Sequence, residues 1–480
     1  MKQLWASNVR WIGPAIVLFV AAALRIWNLG NPHSLVFDET FYVKDAWSLW
    51  NNGYESTWGD DPDKKFNAGI TDGFTTDPSY VVHPQLGKWL IGLGMALFGA
   101  DNSFGWRFSV AVLGIAAVFL LMLVARKLFK STVWASLAGL FFAIDGLAIV
   151  MARTALLDGI LMFFVLLAFW FLLLDRERSF GKLFNRPYLI AAGAALGAAT
   201  AVKWNGAYFL AVFGIYVVLN ELLANRDTTF VQFAKSAASK FALLVPTAFI
   251  VYLSSWTGWL TTTGGYDRNF ADDVANRWTG LLSWVPIELQ SLWHYHVDAY
   301  NFHINLRSPH SYASSPLTWF FLGRPTSFFY EGLQPGAGNC TAAGGCSSAI
   351  TALGNPFIWW AAIAAIILLI WLLIRNGDKV AGAILVGVAA GYLPWMLYLQ
   401  RTVFQFYVIA FEPFVVLALV YAMAALWRQA GPERRPRLLK AFATFSFAAL
   451  AFSLFFLPIW FGTWTPYWFW YLHMWLPSWI

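Results

Sequence analysis

The chain has 480 residues, of which 59% are apolar and only 12% charged, with a mean hydropathy of +0.57 and a formal net charge of +7. That balance excludes an ordinary soluble globular protein and places the chain among polytopic membrane proteins. The basic excess does not indicate a nucleic-acid partner, because the Lys and Arg residues sit in turns at the edges of apolar segments and not on a basic folded domain.

A helix needs about 20 apolar residues to cross a hydrocarbon core of about 30 Å. Eleven segments meet or approach that length: 11–27, 108–124, 132–151, 156–174, 188–202, 206–223, 241–259, 355–374, 380–397, 403–427 and 441–460. The first follows Lys2 and Arg10, like a signal peptide, but Arg25 and Trp27 close it and no small-residue cleavage site follows, so it reads as retained. Basic clusters fall on one side: Arg126, Lys127 and Lys130, then Arg176, Arg178, Lys182 and Arg186, then Arg428, Arg434, Arg435, Arg437 and Lys440. The positive-inside rule makes that side, and the N-terminus, cytoplasmic. The small-residue run from Ala191 to Ala201 reads as a helix packed closely against its neighbours.

Two long connections, 29–106 and 260–354, then lie on the outer side. The first holds Asp60, Asp61, Asp63 and Asp77, then a stretch from Pro84 to Phe98 that reads as a helix lying at the interface. The second is dense in Trp, Tyr, His and Pro, which suits a sugar platform or a membrane-interface belt equally. Its Cys340 and Cys346 close a small loop in an oxidising space, or remain two free thiols in a reducing one. No strands are required anywhere.

The charged residues near membrane ends are one-sided: Arg25, Asp38, Glu39, Lys88, Arg107, Asp145, Arg153, Asp158 and Lys203 all fall at or near outer ends. Ionisable groups at such depth mark a functional site by default. For Asp145, Arg153 and Asp158 interhelical salt bridges are the better reading. Adjacent Asp38 and Glu39 are the best candidates for chemistry. A carboxylate beside a cation can serve as general base, and cations can hold a phosphate leaving group, so neither a cofactor nor a metal is needed. His294, His296, His303 and His310 lack the Cys or carboxylate spacing of a recognisable zinc site and read as hydrogen-bonding or loop-forming residues. No P-loop, GxGxxG after a strand or GxSxG elbow is present, which argues against nucleotide hydrolysis and serine-hydrolase chemistry.

The ordered segments RIWNLGNPHSLVFDETFYVKDAW, VVHPQLGKWLIGLG, WRFSVAVLG, RTALLDGILMFF, AVKWNG, SPHSYASSPLTWFFLGRP and YLHMWLP resemble the protein O-mannosyltransferase family over nearly the whole chain. The resemblance implies an all-α polytopic membrane protein of the C-type glycosyltransferase fold, with about 11 transmembrane helices and two large outer loops in a single 1–480 domain. It implies an enzyme of the plasma membrane that transfers mannose from polyprenyl-phosphate-mannose to Ser/Thr hydroxyls of secreted or membrane proteins, on the extracytoplasmic face and with inversion. Asp38 matches the family's base, with Glu39 beside it in sugar or acceptor binding. Arg25, Lys88, Arg107, Arg153, Lys203, Arg324, His83 and His310 fall in matching motifs and would contact donor phosphate or substrate. The implied partners are the lipid-linked mannose, Ser/Thr-rich acceptor polypeptides, the bilayer and the secretion machinery.

The central loop is too short for the β-trefoil domain of eukaryotic members, which fits a bacterial, actinobacterial-type branch. Gln85 stands where the family usually has a second Pro, and Met474 where a second His is common. Two other readings compete: a transferase of arabinose or aminoarabinose from the same lipid carrier onto glycan or lipid, and a lipid-sugar transporter or flippase. The transporter would require internal repeats with interrupted helices, and the sequence shows no such repeat.

Overall fold

A computed structural model describes residues 2–224, 227 and 229–480, with side chains from residue 11 onward, so the side chains of Lys2 and Arg10 lie outside it. Helix α1 (Lys2–Ile26) leads to α2 (Glu39–Asn52), α3 (Pro62–Asn67) and α4 (Leu86–Phe98). The bundle continues through α5 (Ser103–Phe129), α6 (Thr132–Ile144), α7 (Gly146–Met151), α8 (Leu157–Arg178), α9 (Pro187–Val202), α10 (Gly206–Ala224) and α11 (Phe230–Ser254). After α12 (Thr257–Thr261) and α13 (Ile287–Asn305) come α14 (Pro356–Asn376), α15 (Lys379–Tyr392), α16 (Glu412–Gln429), α17 (Arg435–Phe461) and α18 (Tyr467–Tyr471).

Local signals start many of these helices. Asn102, Ser131, Thr229, Asn355 and Asp378 each accept a backbone N–H of the first turn, and Thr229 with Gln232 forms a full capping box. Among the described residues seven helices are long and apolar enough to cross a membrane, and four shorter apolar helices accompany them. The small-residue segment packs as expected. A Cβ on Gly197 would lie 2.4 Å from the Ala248 carbonyl, so only glycine lets α9 approach α11 this closely. Helix α16 is buried from Glu412 to Ala425, which explains an apolar sequence on every face.

Four expected spans differ, among them 380–397, whose helix α15 ends at Tyr392 before a 3-10 turn, Leu393–Tyr398. Segment 132–151 is two helices, because Asp145 is extended (φ −68°, ψ 134°) and caps α7 by accepting the Leu147 N–H. Segment 403–427 opens as a 3-10 turn, Gln405–Ala410, before α16 begins. Helix α11 begins eleven residues before the expected position 241, at Phe230.

Strands occur after all. Strands β1 (Ser56–Trp58) and β2 (Phe74–Pro78) pair antiparallel in the first connection. In the second, β3 (Thr326–Leu333) and β4 (Cys346–Ala352) form a hairpin, and β4 also pairs with β5 (Thr465–Pro466). Cys340 and Cys346 are joined by a disulfide at the loop end of this hairpin. The first connection also holds the amphipathic α2, which the carboxylate-rich sequence around it obscured. The expected interfacial helix is α4, packed on α2 and α5 with Ile91 and Met95 buried.

Candidate active site

The Phe-Asp-Glu segment turns the two carboxylates in opposite directions. Phe37 has left-handed backbone (φ +50°), and its ring is fixed by stacking on Phe328 at 4.8 Å and by edge contacts with Phe404 and Phe406. A bulky residue in that conformation is strained and is held by its surroundings. Helix α2 then starts with Asp38 at its N-cap and Glu39 pointing inward.

Glu39 is fully buried. Its carboxylate accepts from Arg107 Nε and Nη2, both at 2.8 Å, from the Ala155 N–H at 2.8 Å and from the Val36 N–H at 3.0 Å. Arg107 spends its other donors on the carbonyls of Leu29, Pro32 and Ser34. Every polar atom of this pair is occupied, so Glu39 anchors the segment.

Asp38 is half-buried and opens toward Lys203. Burial pushes its carboxyl up to about 6, while the Lys203 charge and a hydrogen bond from Tyr42 pull it down and Asp158 raises it. Lys203, at the C-terminus of α9, donates to both oxygens of Asp158 at 3.0 and 3.1 Å and lies 4.3 Å over the Tyr407 ring.

Lys203 also lines a cavity of about 300 Å³ together with His83, Trp204, Tyr208, His303, Arg401 and Tyr407. Arg401 donates to His303 Nδ1 at 3.1 Å, and the other ring nitrogen of His303 donates to the Val82 carbonyl at 2.8 Å. Burial and then the charges of Arg401 and Lys203 push His303 down to about 4, so it is neutral and able to accept. His83 stacks on His303 at 5.1 Å and is likewise driven well below its ordinary range by burial and neighbouring cations. Arg401 Nε is buried without a protein partner, a donor left for a ligand.

The remaining expected contacts are placed elsewhere. Arg25 donates to the carbonyls of Phe142 and Ala143 and so caps α6. Arg153 donates to the carbonyls of Leu24, Arg25, Trp27 and Asn28, capping α1, and lies 4.0 Å over Phe461. Lys88 is buried against Glu55 and donates to the His83 carbonyl at 3.1 Å. Gln85, the departure from the motif, donates to the other Glu55 oxygen at 2.8 Å and so joins the same cluster. Arg324 holds the Ser311 carbonyl and those of Ser478 and Ile480. Each of these four cations, and Arg107, secures backbone or a carboxylate that shapes the site. His310 sits beside the site, its ring edge-on to Phe37 and Phe404. Asp145 is structural, accepting the Leu147 and Asn355 N–H groups, while Asp158 joins the site through Lys203.

Arg401 and Tyr407 were not anticipated from the sequence. The available signal was a lone arginine in the apolar run LYLQRTVFQFY, the kind of charge that marks a site at membrane depth.

Comparisons with known proteins agree with this architecture. Residues 15–262 match the family model described as dolichyl-phosphate-mannose-protein mannosyltransferase, and residues 288–479 match that of the C-terminal four-TMM region of protein-O-mannosyltransferase. The chain is 32% identical to the polyprenol-phosphate-mannose–protein mannosyltransferase of Mycolicibacterium smegmatis, covering 98% of this chain and 93% of that one. It is 31% identical to the protein of that name from Mycobacterium tuberculosis, covering 98% and 92%. In fold it resembles the S. cerevisiae Pmt1-Pmt2 complex bound to the sugar donor, with a TM-score of 0.74 at 18% identity over 98% of this chain and 92% of that one.

Proposed function

The chain belongs to the protein O-mannosyltransferase family, and from that premise we propose how its own residues carry out the transfer of mannose from polyprenyl-phosphate-mannose to Ser/Thr hydroxyls of polypeptides. It is a multi-pass membrane mannosyltransferase of the C-type glycosyltransferase fold. The observation that carries the reading is a carboxylate outside any ion pair, Asp38, that feels the charge of Lys203, a cation that also lines the cavity with Arg401.

Asp38 takes the proton of the acceptor hydroxyl as its oxygen attacks the sugar C1 from the face opposite the phosphate. The new C1–O bond forms as the bond from C1 to the phosphate oxygen breaks, which inverts the centre. The polyprenyl phosphate leaves with both electrons of that bond, its charge met by Lys203 and Arg401. A carboxyl titrating near 6 is mostly ionised at neutral pH and still basic enough to accept the proton in the transition state. Side-chain cations supply the charge that a metal supplies in other transferases, so the reaction requires no metal or other cofactor. Glu39, Arg107, Lys88 and Arg153 position this machinery without touching the reacting atoms.

Sidedness supports transfer on the extracytoplasmic face of the cell membrane. Arg126, Lys127 and Lys130 gather at the end of α5 opposite Arg107, so the positive-inside rule puts the N-terminus in the cytoplasm and Asp38 outside. Acceptors would then be polypeptides emerging from the secretion machinery.

The deciding experiment incubates the purified protein with polyprenyl-phosphate-mannose and a Ser/Thr-rich peptide, with and without chelator, and follows peptide mass. A hexose shift that survives chelator and vanishes in Asp38→Asn supports the reading. A shift with a pentose donor alone would overturn the sugar assignment, and a hexose shift retained in Asp38→Asn would overturn the base.

A further inference from the structure

Outside the active site, the turn after α12 and the middle of α13 bring Asp267, His294 and Asp298 together. His294 Nε2 lies 3.5 Å from Asp267 Oδ2 and 3.6 Å from Asp298 Oδ2, and one ligand atom from each residue falls within 4.8 Å of the other two. Two ligands held about 2.1 Å from a tetrahedral dication are about 3.4 Å apart, so the histidine–carboxylate spacings are those of a shared ion.

The local structure fixes each donor independently. His294 and Asp298 share a face of α13 by their i,i+4 spacing. The imidazole lies flat on Phe270, ring centroids 3.6 Å apart and planes 6° from parallel, which sets its edge toward the two carboxylates. Asp267 has left-handed backbone (φ +51°), and its carbonyl accepts the Phe270 N–H, so one short turn carries both a ligand and the ring that orients the histidine. The neighbouring cation does not neutralise the cluster: Arg268 is turned to the Leu260 carbonyl and toward Glu288. All three side chains are about one-third exposed, so an ion can enter and a solvent molecule can complete its shell.

We propose that Asp267, His294 and Asp298 bind a divalent transition-metal ion, with zinc as the best-fitting probe, and that the ion staples the 266–273 turn to α13. An imidazole nitrogen beside two carboxylates favours zinc or its first-row neighbours over magnesium and calcium. The site is not catalytic. It lies nine residues before His303 on the same helix, about 14 Å at 1.5 Å per residue, and faces neither Asp38 nor the cation-lined cavity. Among the described residues no other group of His, Cys, Asp and Glu side chains converges in this way.

The test is calorimetric titration of the detergent-solubilised full chain with zinc chloride, followed by thermal unfolding with and without the ion. The expected result is one equivalent bound, a melting temperature several degrees higher with zinc, and at least tenfold weaker binding in both His294→Ala and Asp267→Asn. Cobalt(II) supplies a second readout, a visible d–d band at one equivalent in the parent protein that is absent from the milder His294→Gln. Binding of equal affinity in parent and variants, or no saturable binding, would overturn the site and leave His294 as an ion-pair partner of the two carboxylates.

Discussion

Arg107 holds Glu39 through two hydrogen bonds of 2.8 Å each, and this grip on one carboxylate is what leaves its neighbour Asp38 free. The adjacent acids divide the labour of the motif, one fixing the turn and the other left within the influence of Lys203. Their substitutions should therefore behave oppositely.

For Asp38→Asn the expected loss of transfer is between about a hundredfold and ten-thousandfold, the range supplied by a positioned base. The fold should not suffer. Because burial raises the folded carboxyl from 3.8 to about 6, ionising it opposes folding, and that cost appears as pH rises from about 4 through about 6. Removing the charge relieves it, by an amount on the order of 1 kcal/mol once partial exposure is discounted. Peptide mass spectrometry and thermal unfolding at pH 7 check the two halves.

Breaking the buried pair should act on the fold first. Arg107→Ala leaves Glu39 charged and unpaired, at a cost of about 3–5 kcal/mol. Replacing both together, as Arg107→Met with Glu39→Leu, should recover part of that loss in melting temperature without restoring full transfer, because the backbone carbonyls of the 29–34 turn remain without their donor.

Transfer should fall as pH drops through about 6, following protonation of Asp38. Tyr42→Phe removes a hydrogen bond that favours the ionised form, so its acid limb should move to higher pH while the plateau rate changes little. A pH–rate profile of both proteins measures this; an unshifted limb would remove Asp38 as the titrating group.

Arg401 and Arg324 offer a contrast between cations. Arg401→Met should raise the donor KM by about tenfold to a hundredfold, the worth of a charge-assisted hydrogen bond of roughly 1.5–3 kcal/mol, and weaken inhibition by free polyprenyl phosphate. Arg324→Met should leave the donor KM unchanged and lower the melting temperature, since its guanidinium holds backbone carbonyls at 311, 478 and 480. Steady-state kinetics with the two variants separates these roles.

Much of this architecture was legible in the amino acids. Apolar length located the long helices, and an isolated carboxylate pair in an apolar chain pointed to Asp38. What composition could not reveal was the direction in which a buried cation points. Arg25, Arg153 and Arg324 carry the same charge as Arg401, yet those three donate to backbone carbonyls while Arg401 donates to His303 and lines the cavity. The cavity itself joins His83, Lys203, His303 and Arg401, drawn from four separated stretches of chain, a meeting that only tertiary packing creates. The helix breaks at Asp145 and before α16 escaped notice because apolar periodicity continues through both, whereas the interruptions come from capping and 3-10 geometry.

The pairing of β4 with β5 sets an order for biosynthesis. Ser347 meets Thr465, 118 residues later in the chain. At 5–20 residues per second the ribosome needs roughly 6–24 s to supply that partner. During this interval β4 has only β3 beside it, and its second edge is open while α14 to α17 are still being inserted. A nascent chain stalled within α17 would therefore carry an exposed strand edge, an address that a chaperone or protease can read before the enzyme is complete.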